Sequence, residues 1–205
     1  MKLFQMFHVG GAAMYILLFC SIISLTVIIE RVIYFKRKSK VKRAKCMHDI
    51  MKELEKGNVK HALEICKSAD TPFAKVVYAG LNLYDQDEKK ISNGMERQIA
   101  IETTLLERYT SIEGTIGSTA VYIGLFGTVL GIMRAFNDIA QTGSGGINVV
   151  IAGISQALGC TAAGLLVAVP AVIAYNYFVK KIEDFVMEME LSASEFLDAV
   201  ARKKK

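Results

Sequence analysis

The sequence has no tryptophan, only two prolines and three scattered histidines, and long parts of it carry no charge. His8, His48 and His61 lie far apart, and Cys20, Cys46, Cys66 and Cys160 form no CxxC pair, so no metal centre is expected. The cysteines are read as reduced structural thiols. No P-loop, HExxH or GxSxG motif occurs, and no carboxylate pair is suited to phospholipid chemistry. An enzyme and a cofactor are therefore not expected. The missing charges say more. Leu3 to Ile29, Gly114 to Met133 and Gln141 to Val179 contain no Asp, Glu, Lys or Arg. A membrane-crossing helix needs about 20 mostly apolar residues, so each stretch is long enough to span. Lipid offers no partner to open backbone groups, which leaves helices as the reading.

Apolar residues make up 52% of the chain, and the mean hydropathy is +0.33. The net charge of +5 is not spread as a nucleic-acid-binding surface would require. Lys36, Arg37, Lys38, Lys40, Lys42, Arg43 and Lys45 follow the first span, Lys180 and Lys181 follow the third, and the sequence closes Arg202-Lys203-Lys204-Lys205. The link between spans two and three has no basic residue after Arg134. Cytoplasmic loops carry the Lys/Arg excess, so the N-terminus and that link are placed outside, with the large loop and the C-terminus inside. The heavy charge on the far flank of the first span argues for a retained, reversed anchor and against a cleaved signal peptide. Arg31, Lys36, Arg37, Lys38 and Lys40 are candidates for lipid headgroup contact, with Glu30 and Arg31 snorkelling from the span end.

The organisation expected is an all-helical integral membrane protein with three transmembrane helices and long cytoplasmic helical extensions. Residues 1–35 hold a periplasmic N-terminus and span one, and 36–113 a cytoplasmic helical domain leading into span two. Residues 114–179 hold spans two and three with a short periplasmic link, and 180–205 a cytoplasmic C-terminal helix and basic tail. Within the loop, Met47, Ile50, Met51 and Leu54 predict one helix, broken at Gly57-Asn58, and Val59, Ala62, Leu63 and Cys66 a second. Thr71-Pro72 opens a third, with Thr as cap. From Glu88, the face Ile91, Met95, Ile99, Thr103, Leu106 and Thr110 predicts one helix running unbroken into span two. After span three, Phe185, Val186, Met189, Ala193, Phe196, Leu197 and Val200 continue the helical period.

Span two places Gly117, Ala120, Gly124, Gly127, Thr128, Gly131 and Ala135 along one side, and span three offers Gly153, Ala157, Thr161, Gly164, Ala168 and Ala171. Small residues let membrane helices approach until their backbones touch. Packing accounts for most of these positions. Small faces on both helices suggest more than one neighbour, hence several subunits. Thr128, Gln156 and Thr161 interrupt the faces. A threonine can bond a carbonyl one turn back, but a mid-span glutamine needs a partner or a wet cavity, because an unpaired buried amide is costly. Pro170 lacks an N–H and frees the carbonyl of Leu166, giving a packing kink or a hinge.

The segments Gly124-Leu-Phe-Gly-Thr-Val-Leu-Gly-Ile-Met133 with Ala135-Phe136, Gly153-Ile-Ser-Gln-Ala-Leu158, Thr161-Ala-Ala-Gly-Leu165 and Val169-Pro-Ala-Val-Ile-Ala-Tyr-Asn176 resemble the span motifs of the ExbB/TolQ/MotA proton-channel family. The likeness covers nearly the whole chain, including Thr71-Pro-Phe-Ala-Lys75, and leans towards ExbB. It implies a homopentamer in the bacterial inner membrane, with spans two and three lining a pore. An ExbD-like single-span partner would sit in that pore and carry a proton-binding Asp. A TonB-like protein would pass the work to outer-membrane import of iron complexes. Thr128 and Thr161 match the family's pore threonines. Two departures stand out: Gln156 occupies the place of a usual Glu, and Val121 that of a common Pro. Gln cannot titrate, so the titrating carboxylate is expected from the partner. TolQ-like envelope maintenance, a MotA-like stator and a non-conducting scaffold are the alternative readings.

Overall fold

The computed structural model describes residues 11–142 and 147–204, all placed in helices or short turns. The expected periplasmic N-terminus falls within residues 1–10, outside the described residues. So do residues 143–146 of the link between spans two and three, and Lys205 of the basic tail. The described residues form seven helices and no strand: α1 Gly11–Lys38, α2 Arg43–Glu55, α3 Val59–Ala69, α4 Pro72–Asn82, α5 Glu88–Glu107, α6 Thr110–Thr142 and α7 Ile147–Lys204. Three of them, α1, α6 and α7, are long and apolar enough to cross a membrane.

The chain divides into two units. One comprises residues 1–30 and 109–177. Its buried centre is Leu17, Ile116, Ala120, Ala168 and Ala171, with Cys20, Ile23, Ile112 and Val167 around it. Its alanines, Ala120, Ala168 and Ala171, are small enough for the backbones to approach closely. The large apolar side chains point outwards: Phe19, Leu25, Tyr122, Phe126, Leu166 and Ile173 are each more than half exposed. An aqueous monomer rarely presents so much apolar surface, and a bilayer or neighbouring subunits would cover it.

The second unit comprises residues 31–108 and 178–205. Successive short helices pack on each other, α2 on α3, α3 on α4 and α4 on α5. Phe73, Val76, Val77, Leu81, Ile91, Met95, Leu106, Met189 and Phe196 fill its core. The α2–α3 break falls at Gly57, where φ is +79°, a value that favours glycine. Thr71 precedes α4 in an extended conformation, as a cap should, but its hydroxyl makes no capping bond. It is buried and unpartnered, so the entry to α4 rests on Pro72 at the first helical positions.

The unbroken helix expected from Glu88 into span two is not found. Arg108 (φ −52°, ψ 130°) and Tyr109 (φ +67°) interrupt it between α5 and α6, with angles near those of the central residues of a type II turn. The apolar period runs through the break, which is why the pattern hides it. Ending α5 leaves its last carbonyls without helical donors. The Arg31 guanidinium meets two of them, donating to the Leu105 and Leu106 oxygens at 3.5 and 3.3 Å.

Candidate functional site

Within the first unit, α6 and α7 meet along a seam of small residues. A Cβ built on Gly124 would lie 2.8 Å from the Cys160 oxygen and 3.1 Å from the Gly164 Cα. One on Gly164 would lie 2.7 Å from the Ala120 oxygen, and one on Gly131 2.8 Å from the Ala157 Cβ. Gly127 abuts Ala13 and Cys160, and Gly153 abuts Ala135. Backbone therefore faces backbone.

That closeness brings two hydroxyls together. Thr128 Oγ1 lies within hydrogen-bond reach of Thr161 Oγ1, and at 3.1 Å from both the Gly124 and Ala157 carbonyl oxygens. Each hydroxyl has one proton and two acceptor sites. Thr128 can donate to either carbonyl while accepting from Thr161, and the roles can reverse. The pair is a two-member hydroxyl chain across the helix interface. Gln156 is not brought into it: its side chain lies on an exposed face of α7, while Ala157 and Cys160 turn towards α6. Pro170 is also exposed, and α7 continues through it from Ile147 to Lys204.

A further buried polar group is one that the sequence analysis did not single out. Glu113 sits in the first turn of α6, fully buried, and accepts a hydrogen bond of 2.7 Å from the Ser24 hydroxyl of α1. Its register offered a signal: Glu113, Gly117, Ala120 and Gly124 fall at i, i+4, i+7 and i+11, the stripe already assigned to helix packing.

The basic residues divide. Lys36, Arg37 and Lys40 are exposed. Arg31 is not at the lipid surface: it is 3% exposed, caps α5 and stacks 4.6 Å from the Tyr34 ring centre. Orphaned helix carbonyls satisfy the guanidinium there, so it has no need to snorkel. Lys38 donates to the Asp70 carboxylate at 2.8 Å and to its backbone oxygen at 2.9 Å. Deeper in the second unit, Lys75 contacts both oxygens of the buried Glu102 at 3.1 Å, and Gln98 adds a bond of 3.0 Å. Arg43 holds Glu195 through two bonds of 3.0 and 3.2 Å. The Cys66 thiol is pushed up to about 12, chiefly by burial and then by Cys46 nearby, so it is protonated at neutral pH.

The hydrogen bond from Lys38, and then its charge, holds the Asp70 carboxyl below the usual range. A depressed carboxyl pKa stabilises the fold above the unfolded value of about 3.9, and that contribution fades as pH falls through the folded value. Asp70 is 69% exposed, so the effect is at most about 1 kcal/mol. Lys38→Met should remove it: the melting temperature of the variant should fall less steeply below about pH 5 than that of the unaltered chain. Identical acid limbs would contradict this account of the pair.

A family model described as the MotA/TolQ/ExbB proton channel family matches residues 68–191. That match covers more than half of the chain, including the α6–α7 seam. The chain belongs to this family. It is 38% identical over 115 residues to the biopolymer transport protein ExbB of Pseudomonas putida, covering 56% of this chain and 35% of that protein. To the Tol-Pal system protein TolQ of Pseudomonas aeruginosa it is 40% identical over 113 residues, covering 55% of this chain and 49% of that one. A putative ExbB homolog of Methanothermobacter thermautotrophicus is 27% identical over 191 residues, covering 91% of this chain and 66% of that protein. The alignments to the two Pseudomonas proteins thus span half or less of those relatives' own lengths. Membership in a proton channel family, with three helices long and apolar enough to cross, makes this a multi-pass membrane protein of a transport family. The ExbB/TolQ/MotA resemblance is borne out at that level.

Proposed function

We propose that this MotA/TolQ/ExbB family member is an ExbB-like proton-channel subunit of an energy-transducing complex. The Thr128–Thr161 hydroxyl pair on the α6–α7 seam carries the reading, because it sets exchangeable protons between two apolar helices. The chain resides in the bacterial inner membrane with its N-terminus outside and its C-terminus and 36–113 loop in the cytoplasm, an orientation supported by the Lys/Arg asymmetry. Exposed Lys36, Arg37 and Lys40 meet anionic headgroups there. Five copies surround an axis filled by an ExbD-like single-span partner that supplies the titrating carboxylate, since Gln156 cannot. Gln156, on the exposed face of α7, orients that carboxylate or a water. Each proton crossing 100 mV delivers about 2.3 kcal/mol, which a TonB-like protein relays to outer-membrane import of iron complexes.

The 40% identity to a TolQ favours a second reading, in which the same engine serves envelope maintenance. The channel itself is tested by replacing Thr128 or Thr161 with Val, which keeps shape and removes the hydroxyl. Proton flux into vesicles holding the chain and its partner should fall at least about tenfold for either variant, with assembly intact, the scale expected when a positioned proton-transfer group is lost. Unchanged flux in both would remove the hydroxyl pair from the pathway.

A further inference from the structure

We propose that Glu113 is a proton-exchange site of this chain, separate from the Thr128–Thr161 pair and built with Ser24 and Thr110. The three side chains are 0%, 5% and 4% exposed. The Ser24 hydroxyl donates to Glu113 Oε2 at 2.7 Å, while Glu113 Oε1 and Thr110 Oγ1 are buried with no partner among the described residues. Thr110 and Glu113 are three apart on α6 and so share a face.

The ligand that this site takes is a proton. An ionised carboxylate only accepts, and among the described residues Ser24 alone donates to it. Buried acceptors left without donors are expensive. Among the described residues, no cation is hydrogen-bonded to Glu113. Helix α1 presents Ser24, and α7 brings Tyr175 against the adjoining Gly114. A proton on Oε1 changes the count. The carboxyl then donates from Oε1, and Thr110 Oγ1, three residues earlier on the same face, is an acceptor with no partner of its own among the described residues. The step is proton transfer alone: an O–H bond forms at Oε1 as one in hydronium breaks, and release reverses it. Glu113 also lies in the first turn of α6, where the helix dipole favours negative charge, so both states are accessible during exchange. The site gives the chain a carboxyl of its own, which Gln156 does not.

Infrared difference spectroscopy on the full chain in lipid vesicles, with its partner, across a pH series tests this. Subtracting Glu113→Gln from the unaltered chain should leave one protonated-carboxyl C=O band that titrates with pH and shifts in D2O. Ser24→Ala, which retains the carboxyl, should move that band by removing the donor to Oε2. No such band, or one indifferent to both pH and D2O, would overturn the site. A role for this proton in transport rests on the proton-channel reading. That reading is judged on the same vesicles by proton flux, so loss of flux and loss of the band fail independently.

Discussion

Replacing Gly164 with Ala should destabilise the α6–α7 seam by about 1–3 kcal/mol, the usual cost of overpacking a close contact. The added methyl would lie 2.7 Å from the Ala120 carbonyl oxygen and 3.1 Å from the Gly124 Cα. Both neighbours are backbone, so no rotamer change relieves the contact and the helices must move apart. Separation weakens every contact along the stripe and stretches the Thr128–Thr161 pair, so flux should fall along with stability. Gly124→Ala, directed at the Cys160 oxygen at 2.8 Å, should behave alike, and the double variant should cost less than the sum, since one displacement relieves both. Thermal unfolding of the detergent-solubilised protein checks this. Melting temperatures unchanged in both single variants would mean that the helices are not in backbone contact.

Lys75→Met should be more damaging still, about 3 kcal/mol, because it leaves the Glu102 carboxylate buried without its cation. Glu102 is 2% exposed, and Gln98 would be its only remaining hydrogen-bond partner among those described. The converse change, Glu102→Leu, should cost less, since the Lys75 side chain is 35% exposed and its ammonium can turn to water. Pairing the two, as Lys75→Met with Glu102→Leu, should restore much of the loss, because the desolvated charge is gone. The readout is again thermal unfolding, as a double-mutant cycle. Strict additivity would show that the pair is a surface contact and that something else excludes water from Glu102.

The helices, the three apolar spans and the small-residue stripes were legible because each depends on local period and composition. The packing of Gly124 and Gly164 followed from register alone. What escaped was decided by partners distant in the chain. Glu102 sits on a mixed helical face, and only Lys75, 27 residues away, makes its burial tolerable. Arg31 reads as a span-end cation until α5 stops and offers it carbonyls. The stop itself was hidden, because Tyr109 holds a positive φ without the Gly or Asn that normally marks one. Glu113 stands just before the uncharged run that begins at Gly114 and drew no notice there. Only its partner Ser24, 89 residues earlier, turns that boundary residue into a buried one.

Proton flux is the most direct test of the central claim. Vesicles holding the unaltered chain and its single-span partner, under a pH gradient, should take up protons faster than vesicles in which the partner's intramembrane Asp is replaced by Asn. Equal rates in the two preparations would contradict the channel and leave a membrane scaffold in its place.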